Sequence, residues 1–260
     1  MTARRLFAEF LGTALLVTTV VGSGIMATRL SPADVGLQLL ENSVATMLAL
    51  AVLIVTLGPV SGAHFNPVVT VADWWLGRGR GTGLPGKDVL RYILVQCAGG
   101  ISGAALANLM FDLPAVRWSQ HERTGTGLWL GEVVATAGLV LVIFALTRAR
   151  RRAAIPLAVG AYIGAAYWFT SSTSFANPAV TLGRAFSDTF AGIAPQSVPG
   201  FVAAQVVGLL AGVAATVALY PQPRTLIHDL EPGEHHDHIA ARPDGRPAAG
   251  ATHGGATTGQ

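Results

Sequence analysis

The chain has 260 residues, 51% of them hydrophobic and only 12% charged, with a mean hydropathy of +0.50. A soluble domain carries about 25% charged residues, so this composition describes a membrane protein. The formal charge of +3 is spread between apolar runs instead of gathered on one face, which argues against a nucleic-acid partner, and the one cysteine, Cys97, excludes an intrachain disulfide.

The first apolar run, Leu6 to Met26, follows Arg4 and Arg5 and in isolation reads like a secretory signal. Two features oppose that. Glu9 lies near the start of the run, and the pattern recurs, Ala8-Glu9-Phe10-Leu11-Gly12-Thr13-Ala14 resembling Gly131-Glu132-Val133-Val134-Ala135-Thr136-Ala137. Ser43 to Val60, Tyr92 to Phe111, Leu128 to Leu146, Ala153 to Phe169 and Val198 to Tyr220 are further spans, the fifth at the short end of what crosses a bilayer.

Between these spans one motif occurs twice. Asn66-Pro67-Val68-Val69-Thr70 follows Ser61-Gly62-Ala63-His64-Phe65, and Asn177-Pro178-Ala179-Val180-Thr181 follows Ser174-Phe175-Ala176. Each opens an apolar stretch of about a dozen residues, roughly 18 Å of helix, too short to span a hydrocarbon core alone. Asn is a strong N-cap and Pro is favoured at the first helical position, so each motif predicts a short helix starting at its Asn. Two such half-helices meeting N-terminus to N-terminus make one spanning element with both Asn side chains at its centre.

The duplication extends to the third span of each half, where Gln96, Gly100 and Gly103 pair with Gln205, Gly208 and Gly212. Three spans per half force the second half to enter from the opposite side. That defines an inverted repeat, in which transport sites lie at the midplane and irregular backbone is tolerated where it lines a cavity. Arg4, Arg5, Arg78, Arg80, Lys87, Arg148, Arg150, Arg151, Arg152 and Arg224 fall on one side, and Arg29, Arg117 and Arg123 on the other. The richer side is expected to be cytoplasmic, which places both termini inside. After Tyr220 the composition turns to Pro, Gly, Ala, Thr, His and charge, so residues 1–220 read as the transmembrane domain, with halves of about 5–111 and 128–220, and 221–260 as a disordered cytoplasmic tail. His235, His236 and His238 in that tail are weak candidates for a transition metal, against a solvated tail with no metal and no cofactor.

Gly62-Ala63-His64-Phe65-Asn66-Pro67-Val68-Val69-Thr70 and Asn177-Pro178-Ala179, with Glu9 and Glu132 in a six-span duplicated setting, resemble the aquaporin or major intrinsic protein family. The resemblance covers about residues 5 to 220. It implies an all-α membrane fold of six tilted helices and two half-helices around a pore, in each subunit of a homotetramer in a bacterial-type inner membrane. It also implies that the acids Glu9 and Glu132 brace irregular loops and that His64 lines the pore. Val68 stands where the family has Ala.

The physics of the motif stands beside the family name. Facing helix N-termini present unpaired N–H groups and about half a positive charge each, which disfavours a cation there. Asn66 and Asn177 then donate to a passing oxygen and break a proton-relaying file of water. Most members of the family have Arg where this chain has Val180. Gap-free alignment puts the other filter positions at Thr46, Ala165 and Ser174, so the filter is expected to be wide, with no aromatic or charged group. Arg184, one turn beyond Val180, is a candidate for the outer vestibule or for loop bracing. Gly22-Ser23-Gly24-Ile25-Met26-Ala27 and Leu39-Leu40-Glu41-Asn42-Ser43, with the missing Arg, resemble the bacterial aquaglyceroporin-like channels associated with arsenic resistance. The expected function is a passive channel, not an enzyme, for water, glycerol-like polyols and neutral metalloid acids such as arsenous acid. The alternatives are a secondary transporter coupled to an ion through Glu9 or Glu132, and a metal-sensing or partner-binding protein run from the tail.

Overall fold

The computed structural model describes residues 2–79 and 81–221. Their α-helices in chain order are α1 (Ala3–Leu30), α2 (Val35–Ser61), α3 (Pro67–Gly77), α4 (Gly86–Met110), α5 (Thr126–Arg148), α6 (Ile155–Phe169), α7 (Pro178–Arg184) and α8 (Val198–Leu219). The tail candidates His235, His236 and His238 lie outside the described residues.

Helices α1, α2, α4 and α5, and α8 with the turn before it, are long and apolar enough to cross a membrane. The remaining expected span is shorter. α6 has 15 residues, about 22 Å, and is preceded by a 3-10 turn over Arg152–Ala154. It stops where the extended Thr170 returns both its N–H and its hydroxyl to the Ala166 carbonyl.

The inverted repeat is visible in the packing, since α1 lies against α4 as α5 lies against α8. Both crossings depend on glycine. A Cβ on Gly103 would sit 2.2 Å from the Ala14 carbonyl oxygen, and one on Gly212 would sit 2.7 Å from that of Ala137. Small residues let backbones approach closely where lipid supplies no hydrophobic drive between helices. One turn earlier the equivalent pair is Gly99 against the Phe10 carbonyl and Gly208 against that of Val133. The expected pairing of Gly100 with Gly208 is therefore corrected by one residue. Gly100 faces α7 instead, meeting the Ala179 carbonyl and Gly183.

Within the first half, the buried Asn42 of α2 donates to the Val20 carbonyl and the Ser23 hydroxyl of α1 (2.9 and 2.8 Å). α2 ends at Gly62, whose φ of 98° places it in the left-handed region that turns the chain toward the first motif.

The half-helices are unequal. α3 has 11 residues, close to the expected dozen, whereas α7 has seven. The shortening has a cause in the loop between α4 and α5. The carbonyls of Ala185 and Phe186 accept from the N–H groups of Ser119 and Arg117 (3.0 and 3.1 Å), and Asn108 Nδ2 also donates to Phe186. With those carbonyls drawn to residues 117–119, the chain leaves the helix after Arg184.

Candidate functional site

Each motif Asn is the N-cap of its half-helix and the Pro is its first residue. Asn66 Oδ1 accepts from Val68 N (3.0 Å), and Asn177 Oδ1 accepts from Ala179 N and Val180 N (2.9 and 3.2 Å). This satisfies helix-end donors that would otherwise be orphaned. Asn66 Nδ2 donates to the Ala176 carbonyl and Asn177 Nδ2 donates to the Phe65 carbonyl, both at 2.8 Å. The two half-helices are thus tied together, each cap to the residue preceding the other. A primary amide has two N–H bonds, so this brace leaves one on each Asn. Both side chains face the main cavity.

The loops before the motifs adopt matching, unfavourable backbone. Ala63 and Phe65 have φ of 51° and 49°, and their counterparts Ser174 and Ala176 have 50° and 48°. Left-handed conformations of non-glycine residues cost about 1–3 kcal/mol each and persist only where surroundings enforce them. Here the enforcing groups are the two buried acids. Glu9 accepts from Ser61 Oγ, His64 N, Phe65 N and Gln96 Nε2 at 2.6–3.0 Å. Glu132 accepts from Phe175 N, Ala176 N and Gln205 Nε2 at 2.6–2.8 Å. Each Gln also donates to a motif threonine, Gln96 to Thr70 and Gln205 to Thr181, both at 2.9 Å. Each threonine in turn donates to the carbonyl of its motif Asn (3.0 and 2.8 Å). The role of these threonines went unread in the sequence, although the repeated Asn-Pro-x-x-Thr spacing was available there.

The cavity has a volume of about 1040 Å³. One wall is apolar and comes from helices that each present residues four apart: Thr46, Leu50 and Ile54 on α2, Leu139, Ile143 and Thr147 on α5, and Val159, Ile163 and Tyr167 on α6. The other wall is the polar loop backbone of residues 61–66 and 174–177. Of the expected filter residues, Thr46, Ser174 and Val180 line this space and are buried. Ala165 does not. It is exposed on the opposite face of α6, two residues from Tyr167, which occupies the cavity wall and donates to Thr46 Oγ1 (3.2 Å). Gap-free counting missed the register of α6, which the Val159-Ile163-Tyr167 spacing carries. Elsewhere the cavity is lined by aromatic and charged groups that the four expected positions do not include, among them Tyr167, Phe175 and Arg184.

His64 lies nearer the other end. Its Nδ1 is 3.2 Å from Thr70 Oγ1 and its Nε2 is 3.8 Å from Asp73. Asp73 accepts from Leu84 N at 2.7 Å, joining α3 to the loop that returns over this mouth. At the far end, buried Arg184 donates through Nε to the Ala191 carbonyl and lies over the Phe175 ring, 3.4 Å from its centroid.

A family model described as major intrinsic protein matches residues 1–176. The chain is 50% identical over 229 residues to aquaglyceroporin AqpS of Rhizobium meliloti, covering 88% of this chain and 95% of that protein. It is 34% identical over 203 residues to the glycerol uptake facilitator protein of Streptococcus pneumoniae, covering 68% and 80%. The fold is similar to the X-ray structure of the aquaglyceroporin from Plasmodium falciparum, with a TM-score of 0.62 at 21% identity over 84% of this chain and 94% of that one. With two half-helices meeting at braced Asn caps beside a lined cavity, and with these relatives, the chain belongs to the major intrinsic protein family.

Proposed function

We propose that the protein is a passive transmembrane channel for small uncharged hydroxyl solutes: water, glycerol-like polyols and neutral acids of the arsenous type. The observation that carries this is the pair of Asn amides in the cavity, each with an N–H beyond the one that braces the opposite loop. A solute hydroxyl accepts from them while its carbons lie against the apolar stripes of α2, α5 and α6. The names of the relatives, an aquaglyceroporin and a glycerol uptake facilitator, support the solute class. The outer constriction is formed around Thr46, Ser174 and Val180, with Tyr167 in place of Ala165 as its α6 member. Val180 stands where, by the family resemblance read in the sequence, most members have Arg, and its short side chain leaves room for polyols.

An ion-coupled cycle through Glu9 or Glu132 is disfavoured by the hydrogen bonds that occupy both carboxylates, because each would have to release loop N–H groups on taking up a proton. The basic bias of the loops supports cytoplasmic termini in an inner membrane. Assembly as a homotetramer rests on family membership.

The test is stopped-flow light scattering on proteoliposomes with water, glycerol and arsenous acid, for wild type and Val180→Arg. Wild type is expected to pass all three. Val180→Arg is expected to keep water and lose at least about tenfold in glycerol flux, the effect of filling a constriction and leaving a desolvated guanidinium there. Equal glycerol flux in the two proteins would remove Val180 from the constriction.

A further inference from the structure

We propose that Arg184 supplies the fixed positive charge of the outer constriction, and that this charge, standing one helical turn from Val180, excludes cations while leaving the passage wide enough for polyols. The inference rests on the channel reading above and names the residue that makes that channel selective for uncharged solutes.

Three observations carry it. First, Arg184 is 2% exposed, yet its Nη1 has no hydrogen-bond partner among the described residues, and it lines the cavity. A buried guanidinium nitrogen without an acceptor is costly and calls for an explanation. Second, side chains on a helix lean toward its N-terminus, so a residue four positions on reaches back over the preceding turn. The contact with Phe175 fixes that direction, because Phe175 is adjacent to Ser174 and belongs to the loop before α7. The guanidinium therefore sits at the level of Ser174, whose Oγ is also buried and unpartnered. Third, Arg184 is the last residue of the cavity wall on this side. No residue of the outer loops, 111–125 or 185–197, lines that space.

Among the described residues neither Arg184 nor Arg123, which faces the same Phe175 ring at 5.2 Å, forms an ion pair. Arg123 is held by the carbonyls of Gly192 and Phe190, and Glu132, whose carboxylate accepts from Phe175 N, Ala176 N and Gln205, acts on the two guanidinium groups only from beyond ion-pair distance. Two guanidinium groups thus flank one aromatic ring, and of the two Arg184 lines the cavity. The arrangement differs from an Arg at the Val180 position in one respect. Rooted one turn away and laid against Phe175, the group charges the opening without filling it.

The experiment measures potassium and methylammonium permeability against water permeability in proteoliposomes of the full chain. For Arg184→Gln the cation-to-water ratio is expected to rise at least about tenfold, and for Arg184→Lys, which keeps the charge, to stay near wild type. A wild-type ratio in Arg184→Gln, or an equal rise in Arg184→Lys, would overturn the proposal and leave Arg184 as a brace for the Ala191 carbonyl. If Arg184→Gln does not fold, Val180→Glu neutralises the guanidinium in place from one turn away. A raised ratio in Val180→Glu but not in Val180→Gln supports the proposal, and an unchanged ratio in Val180→Glu overturns it. Glycerol flux through the wild type, read in the same vesicles, tests the channel reading separately, because the cation-to-water ratio does not depend on it.

Discussion

The two motif regions share a scaffold and differ in what they show to the cavity. In both, a buried Glu grips two backbone N–H groups of a left-handed loop, a Gln links that Glu to the motif Thr, and the Thr returns to the Asn carbonyl. Three residues past each Asn both halves have valine, Val69 and Val180, on the cavity wall. Seven residues past, they part. The first half has Asp73, partly exposed and bound to Leu84 N, and the second has Arg184, buried with a free nitrogen. Two residues before each Asn they part again, into His64 and Phe175. What is duplicated positions the Asn pair, and what is not duplicated gives each mouth its own chemistry.

The largest effect should come from breaking the shared scaffold. Glu9→Leu and Glu132→Leu each strand buried N–H donors in a loop already held in a strained conformation. Each unsatisfied group costs about 1–3 kcal/mol, so both variants should lose the cooperative thermal transition seen in detergent for wild type. Gln at either site keeps one acceptor oxygen and should fall between. If Glu132→Leu melts like wild type, the second brace is not what holds its loop.

Thr70→Val and Thr181→Val sharpen the comparison at smaller scale. Each removes one hydroxyl that donates to an Asn carbonyl and accepts from a Gln, and each should destabilise by about 1–2 kcal/mol. The comparison predicts near-equal shifts in melting temperature for the two. A twofold difference would show that one half-helix depends on its neighbours more than the other.

The smallest effect belongs to the unshared mouth at His64 and Asp73. Asp73→Asn loses the charge facing His64 but keeps an oxygen for Leu84 N. It should cost about 0.5 kcal/mol or less, with faster amide exchange confined to residues 81–85 and no change at residues 185–194. Faster exchange at residues 185–194 would mean that the two mouths are coupled.

Much of the scaffold was legible in the sequence because its determinants are local. Asn66 and Asn177 cap helices through their own chemistry, Pro67 and Pro178 follow as first helical residues, and the acids stand out in apolar runs. The reciprocal tie of Asn66 to Ala176 and Asn177 to Phe65 was not legible, since it depends on carbonyls aimed by left-handed turns at residues with no sequence signal for them. Ala165 was misplaced for a different reason. Counting without gaps cannot see where α6 starts, and a shift of two residues on a helix exchanges the cavity face for the outer one. The length of α7 was overestimated because residues 117–119, far along the chain, capture the carbonyls of Ala185 and Phe186 just past its end. Arg184 was visible as a charge, but its direction was fixed only by the Phe175 ring.

Glycerol efflux from wild-type proteoliposomes, with and without an imposed proton gradient, separates a passive channel from a coupled transporter. A passive channel gives glycerol permeability at least about tenfold above protein-free vesicles, unchanged when an ionophore collapses the gradient. Flux that stops with the gradient, or no glycerol flux beside rapid water flux, would contradict it.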